Sequence, residues 1–163
     1  MTKYPEYVCL REVAPRDGWQ KYPMVIPTEQ KIDLIKRMIG YGVKELEIGV
    51  FAENPKLARQ YPDIEEVCRA IVPYAAQYGV KLNALASDRR SVPRVLDAGI
   101  QVLDYFISVS DAFGKGFGAL ADDKFRELEH LAQIPGADVR LALGAVFGCT
   151  FGESVPVEIT ISY

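Results

Sequence analysis

Glu12-Val13-Ala14-Pro15-Arg16-Asp17-Gly18-Trp19-Gln20 joins an apolar run, Tyr7 to Val13, to a turn framed by Pro15 and Gly18. The run predicts a buried strand, and the turn presents an adjacent cation and anion at its carboxyl end. In α/β folds, ligands bind at the carboxyl ends of the strands. A guanidinium there can hold a developing oxyanion, and a carboxylate can ligate a divalent cation. A local ion pair stabilising the turn accounts for the same two residues equally well.

Working outward, the same grammar recurs: a helical pattern closes on Gly and a β-rich run follows. It occurs at Tyr41-Gly42-Val43, Tyr78-Gly79-Val80, Ala98-Gly99-Ile100 and Pro135-Gly136-Ala137, before runs Glu45–Phe51, Leu82–Ala86, Val102–Val109 and Val139–Phe147. Glycine just past a helix end supplies the left-handed cap. The runs are nearly continuously apolar, as expected where both faces of a sheet are covered.

Between them lie amphipathic helices. The first starts near Thr28 as N-cap, with Ile32, Ile35, Met38 and Ile39 on one side and Lys31 and Arg37 off it. The second spans about Asp63 to Tyr78, and Pro73 predicts a kink or break within it. Ser91 to Leu96 is short, and Asp122 to Ile134 carries Phe125, Leu128 and Leu131 along one stripe. Ser154 and Pro156 open a final helical element as cap and first position.

The order βαβαβαβαβ with right-handed crossovers makes a parallel sheet. A doubly wound open sheet and the first part of a (β/α)8 barrel both fit. A complete barrel needs at least about 200 residues; with 163 residues and five visible strands, the barrel here is incomplete, a single partial domain over residues 1–163. Such a unit leaves open sheet edges, which tend to pair with another chain, so a homo-oligomer is expected.

Composition narrows the function classes. With 49% hydrophobic and 25% charged residues the chain is ordinarily globular. No apolar run approaches a membrane span, and Met1-Thr2-Lys3-Tyr4-Pro5 begins no signal core. A net charge of −3 without a Lys/Arg cluster argues against nucleic acid. Cys9, Cys68 and Cys149 are scattered and read as reduced thiols of a cytoplasmic protein.

The opening stretch resembles the Glu-Val-Gly-Pro-Arg-Asp-Gly-Leu-Gln signature of the 3-hydroxy-3-methylglutaryl-CoA lyase family, within the metal-dependent TIM-barrel lyases and synthases. Leu46-Glu47-Ile48-Gly49-Val50-Phe51 resembles that family's second strand, followed here by Pro55 and Lys56. Leu85-Ala86-Ser87-Asp88 stands at its third strand end, and Phe147-Gly148-Cys149-Thr150-Phe151-Gly152-Glu153 resembles its loop after strand five. The similarity covers essentially the whole chain and only the amino-terminal part of the family's fold.

The resemblance implies retro-Claisen cleavage of a 3-hydroxyacyl-CoA to acetyl-CoA and a 3-oxo acid. Under it, Arg16 stabilises the enolate oxygen and Asp17 binds a divalent metal, Mg²⁺ or Mn²⁺. Gln20 and Asp88 lie against the acyl-CoA substrate, and Glu47 joins the catalytic polar network. A metal acidifies the 3-hydroxyl, and a guanidinium pairs with the enolate.

Departures accompany the match: Ala14 for Gly, Asp88 for an Asn-like residue, Gly49-Val50 for a small polar pair, and Thr150 for Pro. The His-x-His pair that completes the family's metal site has no counterpart, since the sole histidine, His130, falls on an outer helix. A related acyl-CoA synthase or carboxyltransferase barrel, or a non-catalytic self-associating partial barrel, remain alternatives.

Lesser signals are weaker. Cys149 has no neighbouring His in sequence and reads as passive. Gly114-Lys115-Gly116-Phe117-Gly118 matches no phosphate-loop spacing and reads as a flexible loop. Arg89 and Arg90 suit either a carboxylate or CoA phosphate, or a solvated helix start. Ser110-Asp111 reads as a cap or turn.

Overall fold

A computed structural model of the protein describes residues 4–100, 102–116 and 120–162. Phe117 and Gly118 of the glycine-rich stretch, and Met1 to Lys3, lie outside these described residues. Five strands, β1 (Arg11–Glu12), β2 (Glu45–Phe51), β3 (Lys81–Ala86), β4 (Val102–Ser108) and β5 (Asp138–Gly144), form one sheet. All pairings are parallel and the spatial order is β1-β2-β3-β4-β5. A doubly wound sheet reverses its strand order at a switch point. Unbroken sequential order is the winding of a barrel, here an incomplete one.

The helices are α1 (Thr28–Gly40), α2 (Pro55–Ala58), α3 (Ile64–Gln77), α4 (Ser91–Asp97), α5 (Asp111–Gly116), α6 (Ala121–Leu131) and α7 (Val157–Ser162). Buried Ile35 and Ile39 of α1, Val67, Cys68 and Ile71 of α3, and Val92 and Val95 of α4 join one core with Leu46, Ile48 and Val50 of β2. Gly42, Gly79 and Gly99 take positive φ of +96°, +63° and +84° just past α1, α3 and α4, whereas α6, expected to reach Ile134, stops at Leu131 and Gly136 (φ +81°) turns the chain five residues later. Each turn redirects the chain into the next strand, as the repeated helix–Gly–strand pattern predicts.

The concave face of the sheet is charged. Arg11 on β1 meets Asp104 on β4 at 2.8 and 2.9 Å, and Asn83 Nδ2 donates to the same carboxylate at 2.9 Å. Arg140 on β5 pairs with Glu45 on β2, and Lys81 on β3 reaches Asp138 on β5 at 3.4 Å. These contacts skip neighbouring strands, so the sheet is curled into a trough.

Several expectations are corrected. The strand expected over Tyr7 to Val13 contracts to Arg11–Glu12, with Tyr7, Val8 and Leu10 exposed. Among the described residues β1 pairs with β2 alone, and the apolar residues before it stay exposed. Thr28 is the first helical residue and not the cap; its hydroxyl donates to Asp63 Oδ2 at 2.7 Å. Lys31, read as off the apolar side, is 1% exposed and lies on the inward stripe with Ile35 and Ile39.

Pro73 neither splits nor ends α3, which continues to Gln77. Ser154 does not cap α7, which starts after Pro156. The glycine-rich stretch is not wholly loop, because Gly114-Lys115-Gly116 closes α5. β5 is exposed or half-buried along its length, unlike the strands covered on both faces.

Candidate functional site

Ala14–Gly18 forms a single wide helical turn directly after β1. The Ala14 amide donates to Glu12 Oε1 at 2.7 Å, and Val13 O accepts the amides of Arg16 and Asp17 at 3.0 and 2.7 Å. The Trp19 amide closes the turn by donating to the carbonyls of Ala14 and Arg16. Buried Pro15 supplies a ring where a free N–H would have no partner.

This turn delivers Arg16 to the trough's mouth. Its Nη1 donates to Asp17 Oδ1 at 3.1 Å, and its Nε lies 3.2 Å from Glu47 Oε1. That second contact attracts by charge but is not aligned as a hydrogen bond, so the buried Nε has no hydrogen-bond partner. Glu47 is 6% exposed. Burial pushes its carboxyl up to about 7, against the downward pull of Arg16 and Arg11 and with an upward push from Asp104 and Asp17.

Beside the turn opens a cleft of about 970 Å³. Arg16, Asp17 and Gln20 form one wall, α2 and its flanks (Asn54, Pro55, Leu57) another, and Leu85 and Phe106 line it from the strands. Asp88, Arg89, Arg90, Lys124 and Glu127 line the remaining side. Mixed apolar and charged walls suit a small amphipathic ligand.

The structure brings Arg16, Asp17, Gln20 and Asp88 to one cleft and sets Glu47 beneath Arg16. Asp88 also has a local structural task. It accepts the Ser91 amide at 3.0 Å and the hydroxyls of Ser91 and Ser87 at 3.2 and 2.8 Å, opening α4. Burial pushes its carboxyl upward, but these donors outweigh it and the net shift is below the ordinary value. Arg89 and Arg90 face the cleft; His130 borders it and is exposed on α6.

Asp17 is the only metal ligand the sequence offers at this turn, and it is already paired with Arg16. No group of three or more His, Cys, Asp or Glu gathers among the described residues. A hard divalent cation takes several oxygen ligands. The residues present therefore do not fit a complete metal site.

Sequence reasoning missed the supports. Tyr61, ahead of α3, donates its hydroxyl to the Arg16 carbonyl. Lys124 on α6 donates to Ser87 O at 2.8 Å and to the Tyr105 hydroxyl at 3.0 Å, while Glu127 accepts from Tyr105 and from the Arg89 amide at 2.9 Å. These ties fix the β3–α4 loop against α6. The only sequence signal for them was the spacing of Lys124 and Glu127 on one face of a helix.

The loop after β5 packs over α5. Glu153 accepts from the Ser110 hydroxyl and from the Ala112 amide at 3.0 Å, and the Phe113 and Phe151 rings lie 5.8 Å apart. Ser110 caps α5, as expected, its hydroxyl oxygen accepting the Phe113 amide at 3.1 Å. Cys149, half-buried in this loop, has its thiol held below the ordinary value, chiefly by a hydrogen bond with Ser110.

No protein-family model matches the chain. It is 32% identical to the hydroxymethylglutaryl-CoA lyase of Bacillus subtilis, over 97% of this chain and 53% of that protein. A crystal structure from the same organism superimposes with a TM-score of 0.87 at 31% identity, covering 98% of this chain and 53% of that one. The (R)-citramalyl-CoA lyase of Chloroflexus aurantiacus is 27% identical over 94% of this chain and 51% of its own. An Acinetobacter baumannii HMG-CoA lyase solved with coenzyme A and 3-methylmalate gives a TM-score of 0.87 at 26% identity, over 99% of this chain and 53% of that one. The chain spans about half the length of the curated relatives it matches.

Proposed function

In sequence and fold the chain is hydroxymethylglutaryl-CoA lyase-like, and from that premise we propose that it carries the enolate-stabilising part of a retro-Claisen site acting on a 3-hydroxyacyl-CoA. The observation that carries this reading is Arg16, held at the carboxyl end of β1 over buried Glu47 and facing the cleft.

In the reaction, the 3-hydroxyl loses its proton and the C2–C3 bond breaks. The oxygen's electrons form the carbonyl of the 3-oxo acid. The bond's electrons pass to the thioester as an enolate, which takes a proton at C2 to give acetyl-CoA. Arg16 is the catalytic residue, offering its guanidinium to the enolate oxygen. Glu47 does not line the cleft and serves as a positioning residue beneath it. Gln20 and Asp88 flank the acyl group, and the Arg89–Arg90 end of the cleft suits the CoA phosphates.

The expected Mg²⁺ or Mn²⁺ would meet Asp17 and needs further ligands that these residues do not provide, so no proton transfer is assigned through it. Residues 1–163 are taken here as a single partial barrel domain; no described helix is long and apolar enough to cross a membrane.

The test is calorimetric titration with 3-hydroxy-3-methylglutaryl-CoA, alongside acetyl-CoA release with Mg²⁺ or Mn²⁺ and a chelator control. Arg16→Gln is expected to weaken thioester binding about tenfold. Equal binding together with equal acetyl-CoA release by native and variant chains would sink the reading.

A second proposal concerns partners. Tyr7, Val8 and Leu10 before β1, and Leu141 on β5, are exposed at the two margins of the sheet. We propose that a second copy covers them. Sedimentation across a concentration series should show a dimer or larger species that Leu10→Lys weakens. A concentration-independent monomer rejects it.

A further inference from the structure

We propose that Tyr61 is the positioning residue for Arg16, acting through the backbone of the turn and not through the side chain it orients. The inference rests on the reading of Arg16 as the enolate-stabilising group.

The Arg16 carbonyl accepts from two directions: the Trp19 amide within the turn and the Tyr61 hydroxyl from outside it. The Tyr61 bond is the hydrogen bond that joins this turn to the segment leading into α3. Among the described residues no other side-chain hydrogen bond or ion pair joins that segment to Arg16, whose side chain is engaged by Asp17 and Glu47.

Tyr61 is itself well anchored. It is 3% exposed, its amide donates to Ala58 O at 2.7 Å, and its carbonyl accepts the Ile64 amide at 3.2 Å. Its ring lies over Gly49, where an added Cβ would stand 3.0 Å from Tyr61 Cδ1. The flanking residues hold the neighbouring chain: Gln60 binds the carbonyls of Tyr22 and Met24 at 2.9 and 2.6 Å, and Asp63 accepts Lys31 Nζ at 2.5 Å. Gln60-Tyr61-Pro62-Asp63 therefore clamps the path from the turn to α1. Burial keeps the phenol protonated far above neutrality, so the hydroxyl stays a donor.

The side chain of Glu47 reports on where Arg16 stands, because the guanidinium lowers its pKa from 3.2 Å away. The experiment is an NMR titration of Glu47 in the native chain, Tyr61→Phe, Arg16→Gln and the double variant, with thermal unfolding as the fold control. Tyr61→Phe keeps the ring over Gly49 and is expected to unfold near the native temperature.

If Tyr61 positions Arg16, Tyr61→Phe raises the Glu47 pKa by about one unit. Arg16→Gln raises it at least as far, and the double variant adds nothing further. A Glu47 titration unmoved by Tyr61→Phe but moved by Arg16→Gln overturns the proposal and leaves the reading of Arg16 intact. A shift from Tyr61→Phe that persists in the Arg16→Gln background overturns it too, since Tyr61 would then act on Glu47 directly. If neither single variant moves Glu47, the Arg16–Glu47 pair fails and both readings fall. A second measurement needs no variant: the Tyr61 hydroxyl proton should exchange slowly with water, and rapid exchange would reject the bond.

Discussion

Arg11 and Asp104 stand 93 residues apart, on strands with two others between them, yet the guanidinium holds both carboxylate oxygens at 2.8 and 2.9 Å. A flat sheet places first and fourth neighbours about 14 Å apart. The contact exists because the sheet curls, and it braces the trough across which Glu47 and Arg16 sit.

Breaking this brace should be costly on one side only. Arg11→Leu leaves the buried Asp104 carboxylate with Asn83 as its remaining partner. A fully buried pair would cost 3–5 kcal/mol when one partner is lost, but the Arg11 side chain is 37% exposed, so about 2 kcal/mol is expected. Arg11→Leu combined with Asp104→Leu should recover most of it. Urea unfolding of the single and double variants measures both, and a double variant as weak as the single would refute the argument.

Glu47 gives the chain a pH dependence of known sign. Its folded value of about 7 lies above its ordinary 4.5, so between those values the folded chain holds a proton that the unfolded chain has released. Stability therefore falls as pH rises across that window, by about 3 kcal/mol in all, and this residue adds no slope below 4.5. Glu47→Gln should flatten the profile and stabilise the chain at pH 8 relative to native, with little difference at pH 4. Denaturation midpoints at four or five pH values decide it.

The parts legible in sequence were those encoded locally. Four glycines between helix and strand gave the element order because each meets its own backbone requirement. The Pro15-Arg16-Asp17-Gly18 turn gave the site because its charges are adjacent. What stayed hidden depends on distant partners. Lys31 looked solvated because its partner Asp63 lies 32 residues on. The apolar run before Arg11 looked like a buried strand because sequence cannot show that β1 pairs on one side only. Tyr61 and Lys124 carry no motif, and their importance arises only from the backbone carbonyls they meet.

The buried Lys31–Asp63 pair is a third point of test. Lys31 Nζ also donates to the Gln60 carbonyl, so its removal frees two acceptors at once. Thr28 still donates to Asp63 at 2.7 Å and softens the loss. Lys31→Met should destabilise by about 3 kcal/mol, and Lys31→Met with Asp63→Asn by less. Loss of protection in the Tyr22–Ile26 segment by hydrogen exchange should accompany it, because Gln60 binds that segment through Tyr22, Met24 and Ile26. Unchanged exchange there would show the clamp to be independent of Lys31.

Gly49 sits on β2 where the β2–β3 register shifts between Glu47 and Val50, at φ +158°. A Cβ there would come within 2.5 Å of Ile64 Cδ1 and 3.0 Å of the Tyr61 ring. Both neighbours are buried, at 2% and 3% exposure, so neither can move away freely. Gly49→Ala should therefore cost about 1–3 kcal/mol by overpacking. Because the worst clash is with a terminal methyl, adding Ile64→Val removes it and should return part of the loss despite its own cost of about 1 kcal/mol. The Tyr61 contact remains in that double variant, so the Arg16 turn should stay perturbed even as stability recovers. Stability and the Glu47 titration, measured together, separate the two effects. Full recovery of both would mean that Gly49 makes room for Ile64 alone.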